Sequence, residues 1–280
     1  MTIYTDQTVL TFLKTQKDRC PNKSVLFFKE REVTYQQFFD RMEQVAYGLA
    51  RFKIEQGDNI VICLPNGPES LFAFFGVLRR GAVAILLPTH LDMVNISEYF
   101  HPSQSHVLIT TATLYAAMQC KRMTIPHLRH IFFVGDRGGE GFVFSSLYTS
   151  GTRKNEIAIS PQLPALRVYP SKGERLTQEQ MIASANTFIE RIQMTEQDRV
   201  LYPFPWLDAY PQTISIIATI IAGGAVILGE KFSSRGFLEI VDQHAVTVFF
   251  CDHQETIKEV FASEEAKQYN LSSLRLCMRK

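Results

Sequence analysis

The sequence predicts an α/β protein: two pseudo-repeated subdomains with mainly parallel sheets flanked by helices. Three observations predict it. Short uninterrupted apolar runs alternate with amphipathic helical patterns, and four kinds of segment recur in the same order at an offset of about 140 residues. A stretch rich in Gly, Ser and Thr separates the two copies. Apolar runs without polar alternation belong to strands buried on both faces, the condition of a parallel sheet covered by helices. The expected units are residues 1–134, a linker over 135–164, and a second, incomplete unit over 165–280.

The first copy opens at Val33-Thr34-Tyr35-Gln36-Gln37-Phe38, where Thr34 stands as N-cap to a helix carrying Phe38, Met42, Val45 and Leu49 on one face. Gly57-Asp58 then turns into an apolar strand that Pro65 ends. A helix over Leu71 to Leu78 follows, with Gly81 as its cap and a buried strand from Val83. Ser105 to Ile109 supplies a fourth element.

The second copy repeats the order. Leu176-Thr177-Gln178-Glu179-Gln180-Met181 opens a helix carrying Met181, Ala185, Phe188 and Ile192. Gln197-Asp198 turns into the strand that ends before Pro203 and Pro205, and Ile214 to Ile221 is the next helix. Gly224 is expected as its cap, Ala225 to Leu228 as a strand, and Ala245 to Phe249 as the fourth element. The uncharged run from Ala209 to Gly229 is interrupted by Pro211 and by Gly223-Gly224, which favours a buried helix and strand over a membrane span.

Composition narrows the function classes. With 29 Lys+Arg against 28 Asp+Glu the chain is nearly neutral and has no basic run, so nucleic acid is not an expected partner. The five cysteines are scattered without a CxxC pair, which suits reduced thiols rather than a disulfide framework or zinc site. Met1-Thr2-Ile3-Tyr4-Thr5-Asp6 lacks the basic start and apolar stretch of a signal peptide, so a cytoplasmic location is expected. Gly135-Asp136-Arg137-Gly138-Gly139-Glu140-Gly141 does not fit the dinucleotide-binding spacing and reads as a turn. The acids around His253, namely Asp252, Glu255 and Glu259, read as the acidic start of a helix and not as a metal site.

Taken together, Val33-Thr34-Tyr35, Gln56-Gly57-Asp58, Cys63-Leu64-Pro65-Asn66, Phe74-Phe75-Gly76-Val77-Leu78 and Gly81-Ala82-Val83-Ala84 closely resemble the N-terminal part of the adenylate-forming ligases. That superfamily includes acyl-CoA synthetases, peptide-synthetase adenylation domains and luciferases. Asp198-Arg199-Val200, Ala222-Gly223-Gly224-Ala225-Val226 and Asn270-Leu271-Ser272-Ser273-Leu274-Arg275 are similar to the same superfamily in the same order. The resemblance implies ATP-dependent activation of a carboxylate to an acyl adenylate, with Mg²⁺, followed by transfer to a thiol such as CoA. Such chemistry needs a cradle of N–H and hydroxyl groups for the triphosphate and a Lys beside the developing charge.

The family's phosphate loop, of the pattern TSGTTGKPKG, lies between a strand like Pro164-Ala165-Leu166-Arg167-Val168-Tyr169 and a Thr-capped helix. Here only Pro170-Ser171-Lys172-Gly173-Glu174-Arg175 stands between them, shorter than the pattern and with a single glycine. Ser171, Lys172 and Gly173 read either as a remnant able to touch phosphate or, the preferred reading, as a tight turn with a solvated Lys. An alternative loop, Thr149-Ser150-Gly151-Thr152, copies the first half of the pattern but continues Arg153-Lys154-Asn155 without a second glycine. Where family members often carry a His at the acyl pocket, Trp206, Asp208 and Tyr210 occupy the stretch. They are the candidate pocket residues, with core packing the preferred role for Trp206.

The resemblance also places the segment holding adenine and Mg²⁺, the ribose-binding Asp and the C-terminal Lys-bearing domain in regions without a counterpart among these 280 residues. The expectation is therefore a half-ligase, with no catalytic residue assigned. Its expected partners are a complementary C-terminal chain or a second copy, meeting an apolar face, and an acyl or small carboxylate ligand. The alternative is a non-catalytic relative that binds an acyl group, a nucleotide or a protein.

Overall fold

The repeated apolar runs become two sheets, and the helices between and around them form three layers. The computed structural model describes residues 7–89, 104–120, 128–150, 158–168, 175–208, 210–229, 233–251 and 259–279. The helices are α1 (Val9–Arg19), α2 (Tyr35–Arg51), α3 (Pro68–Arg79), α4 (Ala112–Cys120), α5 (Gln178–Ile192), α6 (Tyr210–Ile221) and α7 (Ser234–His244). The first-copy strands are β1 (Ser24–Phe28), β2 (Arg31–Thr34), β3 (Asn59–Ile62), β4 (Val83–Leu86), β5 (Val107–Thr111), β6 (His130–Val134) and β7 (Phe142–Val143). The second copy adds β8 (Pro164–Val168), β9 (Leu176–Thr177), β10 (Arg199–Tyr202), β11 (Ala225–Leu228), β12 (Val248–Cys251) and β13 (Leu276–Arg279).

One sheet runs β7-β6-β5-β3-β4-β8-β9 and the other β13-β12-β10-β11-β1-β2. All neighbours are parallel except the hairpins β1–β2 and β8–β9. Apart from β7, which has no counterpart in the six-stranded sheet, the two orders match element for element, as the sequence repeat demands. The hairpins, however, are exchanged. β1 pairs with β11 through Leu26↔Val226, and β8 pairs with β4 through Ala84↔Leu166. The units read from the sequence, 1–134 and 165–280, therefore do not coincide with the sheets, because each sheet takes one hairpin from the other copy.

The main core lies between the sheets. It gathers Phe38, Met42 and Leu49 of α2, Leu71, Phe74 and Phe75 of α3, Met181 of α5 and Ile217 of α6 with inward residues of both sheets. A second cluster covers the far face of the seven-stranded sheet, where Met118 of α4 meets Val61, Ile85 and Leu108. A third covers the far face of the other sheet, where Phe237 and Val241 of α7 meet Leu201, Ile227 and Phe249.

Local signals in the sequence account for the helix ends. Thr34 and Thr177 each accept the backbone N–H three residues on, while Gln37 and Gln180 reach back to the Thr N–H, so both copies start α2 and α5 with the same capping box. Pro211 falls in the first turn of α6, where a missing N–H costs nothing. The cap after α6 is a correction: Gly223, with φ of +85°, holds the left-handed position, matching Gly81 at +71°. Gly224, expected there, instead lets the chain pass close to strand β10, since a Cβ on it would stand 2.8 Å from Asp198 O.

The stretch expected as a linker has structure of its own. Phe142–Val143 extends the sheet as β7, and the 3-10 turn Phe144–Leu147 buries Phe144 and Leu147 against α2. Among the described residues the large hydrophobics with substantial exposure are Phe142, Val143 and Leu163. The contact with α2 is close enough to require glycine. A Cβ on Gly48 would lie 2.3 Å from Leu147 O and 2.5 Å from Leu147 Cα, both backbone atoms that no rotamer change can move. Gly48→Ala is expected to lower stability by about 1–3 kcal/mol through overpacking, despite the better helix propensity of Ala, and a urea midpoint measures it.

Candidate functional site

In open α/β sheets, ligands bind beyond the carboxyl ends of the strands, so the site is sought where the ends of the central strands of the two sheets meet. After β3 the chain runs Cys63-Leu64-Pro65-Asn66, and the equivalent run after β10 is Pro203-Phe204-Pro205-Trp206. Pro65 and Pro205 end their strands at matching points, which brings Asn66 and Trp206 together across the junction. The Trp206 backbone N–H donates to Asn66 Oδ1 at 3.1 Å. Asn66 Nδ2 donates to Gly229 O at 2.7 Å and Phe204 O at 2.9 Å, with Tyr202 O further off at 3.5 Å. One carboxamide on the first copy thus ties down the ends of both β10 and β11.

Trp206 is fully buried, its indole N–H donating to Ser70 Oγ at 2.9 Å and its ring meeting Phe74 edge-on at 5.4 Å. Ser70 Oγ in turn donates to Gly67 O at 2.7 Å, closing the first turn of α3. Beneath the junction Tyr202 is buried with its hydroxyl 3.0 Å from Thr219 Oγ1, and burial holds its phenol well above the ordinary range. Tyr35 is alike: burial raises it, and its hydroxyl lies 2.8 Å from Gly224 O and 3.0 Å from Ile220 O. Both phenols stay neutral at any physiological pH, Tyr202 beneath the junction and Tyr35 at the opposite end of the strands, where the chain enters β11.

The opposite end of β10 is held by charge. Asp198 is 3% exposed and receives Arg275 as a fork, Nε at 2.7 Å and Nη2 at 2.8 Å. Thr247 Oγ1 donates to it at 2.7 Å and the Thr195 N–H at 2.8 Å. Burial opposes the charge, but the hydrogen bonds from Arg275, Thr247 and Thr195 outweigh it and hold the carboxyl below its ordinary value. The first copy repeats the turn without the arginine, Asp58 Oδ2 accepting the Glu55 N–H at 2.8 Å.

Of the residues singled out from the sequence, Trp206 stands in the core at the junction. Tyr210, at the start of α6, donates its hydroxyl to Ser184 Oγ of α5 at 2.7 Å. Asp208 closes the 3-10 turn Trp206–Asp208, and its side chain lies outside the description. The structure therefore brings Trp206 to Asn66 and places Tyr210 between helices. Ser171, Lys172 and Gly173 lie outside the described residues, bracketed by the paired ends of β8 and β9. Thr149 follows the 3-10 turn, its hydroxyl accepting from Arg51 Nη1 at 3.4 Å; Ser150 is exposed; Gly151 and Thr152 lie outside the described residues. Asp252, His253 and Glu255 are outside as well. Among the described residues no group of three or more His, Cys, Asp or Glu side chains is placed to hold a metal ion. Asn66, the Trp206 N–H groups and Ser70 at the junction are taken up by internal hydrogen bonds.

Sequence reasoning missed Asn66 and the Asp198–Arg275 pair as organising contacts. Their signal was present: Asn66 follows the strand-ending proline, and Asp198 recurs as Asp58 in the other copy. What it lacked was any indication of their partners, 140 and 77 residues away in sequence.

Two interlocked α/β repeats joined at the carboxyl ends of their strands define the large domain of the adenylate-forming ligases. The chain belongs to the AMP-binding enzyme family, which matches residues 13–279. It is 27% identical over 263 residues to 4-coumarate–CoA ligase 2 of Solanum tuberosum, covering 89% of this chain and 47% of that protein. It is 26% identical to the vibriobactin-specific 2,3-dihydroxybenzoate-AMP ligase of Vibrio cholerae, covering 87% and 47%. A long-chain-fatty-acid-CoA ligase from Archaeoglobus fulgidus has the same fold, with a TM-score of 0.84 at 14% identity over 99% of this chain and 58% of that one. The N-terminal domain of FACL13 from Mycobacterium tuberculosis gives 0.80 at 18% identity, over 98% and 69%. The chain spans about half the length of the curated relatives it matches. No described helix is long and apolar enough to cross a membrane.

Asn66→Ala leaves two backbone carbonyls and the Trp206 N–H without their buried partner and is expected to cost about 2–4 kcal/mol, read from a urea midpoint. For Asp198 the sign follows from a folded value below 3.8: its stabilisation is complete above 3.8 and is lost as the pH falls below it. Wild-type stability is expected to decline over that acid interval. Asp198→Asn, weaker at neutral pH, is expected to decline less across it in a pH series of urea midpoints.

Proposed function

We propose that this chain is an acyl-CoA-synthetase-like domain of an AMP-dependent ligase that does not, as this polypeptide, activate a carboxylate with ATP. One observation carries the reading. β8 and β9 pair as an antiparallel hairpin through Leu166↔Leu176, so the connection between strand and capped helix is confined to residues 169–175. That connection holds one glycine, Gly173, and one lysine, Lys172. A triphosphate cradle needs several consecutive backbone N–H groups turned to one side, a conformation that glycines make accessible. Ser171 and Lys172 supply one hydroxyl and one cation, enough to touch a phosphate but not to surround the transferring group. A polypeptide carrying ligase elements beyond these 280 residues, or a second copy, is the partner this reading calls for.

A second reading, a non-catalytic relative that binds an acyl group, a nucleotide or a protein, is favoured by the intact capping boxes and the uninterrupted core shared by both copies. A folded module is retained although the loop is short. Acid-dependent exchange of pyrophosphate into ATP, assayed with fatty, aryl and amino acids, is expected to be at background for the purified chain. Exchange above background with any acid overturns the first reading. Calorimetric titration with ATP and AMP separates the two: heat of binding without exchange supports the binding module.

A further inference from the structure

Two of the five cysteines meet in space although no sequence motif joins them. Cys251 ends β12 and Cys277 lies in β13, the neighbouring strand at the sheet's edge. The parallel register sets Phe249 opposite Cys277 and Cys251 opposite Arg279, so the cysteines are staggered by one dipeptide and share a face. Their sulfurs are 3.2 Å apart. Both belong to the cluster under α7, with Phe249 and Phe261 nearby; Cys251 is buried and Cys277 half-buried. Cys20 and Cys63, by contrast, each lie against a backbone carbonyl, Gln16 O at 3.2 Å and Pro88 O at 3.9 Å.

We propose that Cys251 and Cys277 form a redox-sensitive dithiol that closes to an intramolecular disulfide when the protein meets a small-molecule disulfide such as glutathione disulfide. A disulfide bond is about 2.05 Å long, so the sulfurs need to close by little more than an ångström. Cys277, the more accessible thiol, attacks the oxidant as its thiolate, forming a mixed disulfide and releasing one glutathione. Cys251 then displaces the second glutathione. One S–S bond forms and one is cleaved; the two thiol protons and two electrons of the pair end on two glutathione thiols. Burial, and then the adjacent Cys251, push the Cys277 thiol up to about 12, so it rests protonated and exchange is slow; the pair responds to sustained oxidation rather than to a brief pulse. The new bond would close a loop across a separation of 26 residues and fasten the edge strand to the sheet at the end where β12 leaves it.

The test uses the full chain, reduced and then equilibrated with excess glutathione disulfide, alkylated under denaturing conditions and digested with trypsin. The expected result is peptides Gly236–Lys258 and Leu276–Arg279 joined, at a mass about 2 Da below the sum of the two reduced, unalkylated peptides. Cys277→Ser is expected to abolish that linked pair, leaving Cys251 alkylated or carrying one glutathione. Recovery of both wild-type cysteines as alkylated thiols, as separate glutathione adducts, or linked to other cysteines would overturn the proposal, whether or not the serine variant folds.

Discussion

Each sheet is completed by a hairpin that the other half of the chain supplies, and the remaining architecture depends on that exchange. Without β1, strand β11 would present an unpaired edge; without β8, so would β4. An unpaired parallel edge leaves a row of N–H and C=O groups without partners, so neither copy closes its own sheet. The exchange also commits the inner helices to a shared space. α1 is anchored to the second copy by Gln16 Nε2 donating to Ile221 O at 2.9 Å and by its first N–H, on Val9, donating to Gln178 Oε1 at 3.1 Å. The large core is therefore a property of the whole chain, and its burial stabilises both copies together.

Interlocking brings equivalent points of the repeat face to face. The strand-ending prolines put Asn66 and Trp206 at the junction, where one carboxamide satisfies an N–H and two carbonyls that would otherwise be buried unpaired. At the other end of β10, Asp198 gathers Arg275, Thr247 and the turn before the strand. The strand is thus pinned at both ends by polar contacts in an apolar setting, where such contacts act strongly if every partner is present. The two copies differ here: Asp58 keeps the turn, while among the described residues the arginine fork stands in the second copy alone.

Membership of the AMP-binding enzyme family covers residues 13–279, and the shared fold extends over 99% of the chain. A fold can outlast the chemistry once built upon it, because core packing and phosphate binding rest on different residues. Here the core residues, the two capping boxes and the junction are in place.

The helices and strands of the repeat, and their order, were legible in the sequence, because periodicity and caps are read out by residues a few positions apart. Thr34 and Thr177 announced α2 and α5 for that reason. The same local reading erred by one residue at Gly223 and Gly224, where two adjacent glycines serve different purposes: a positive φ for one and a close approach to Asp198 for the other. It treated 135–164 as a linker because the packing of Leu147 on Gly48 joins segments far apart in the chain. What the sequence determined by itself was the family, the α/β class and the twofold repeat. Only the tertiary structure decided which sheet each hairpin joins, that Asn66 meets Trp206, that Arg275 reaches Asp198 and that Cys251 lies against Cys277. Contacts between distant residues depend on how whole elements pack, and no periodicity within either partner's own segment encodes them.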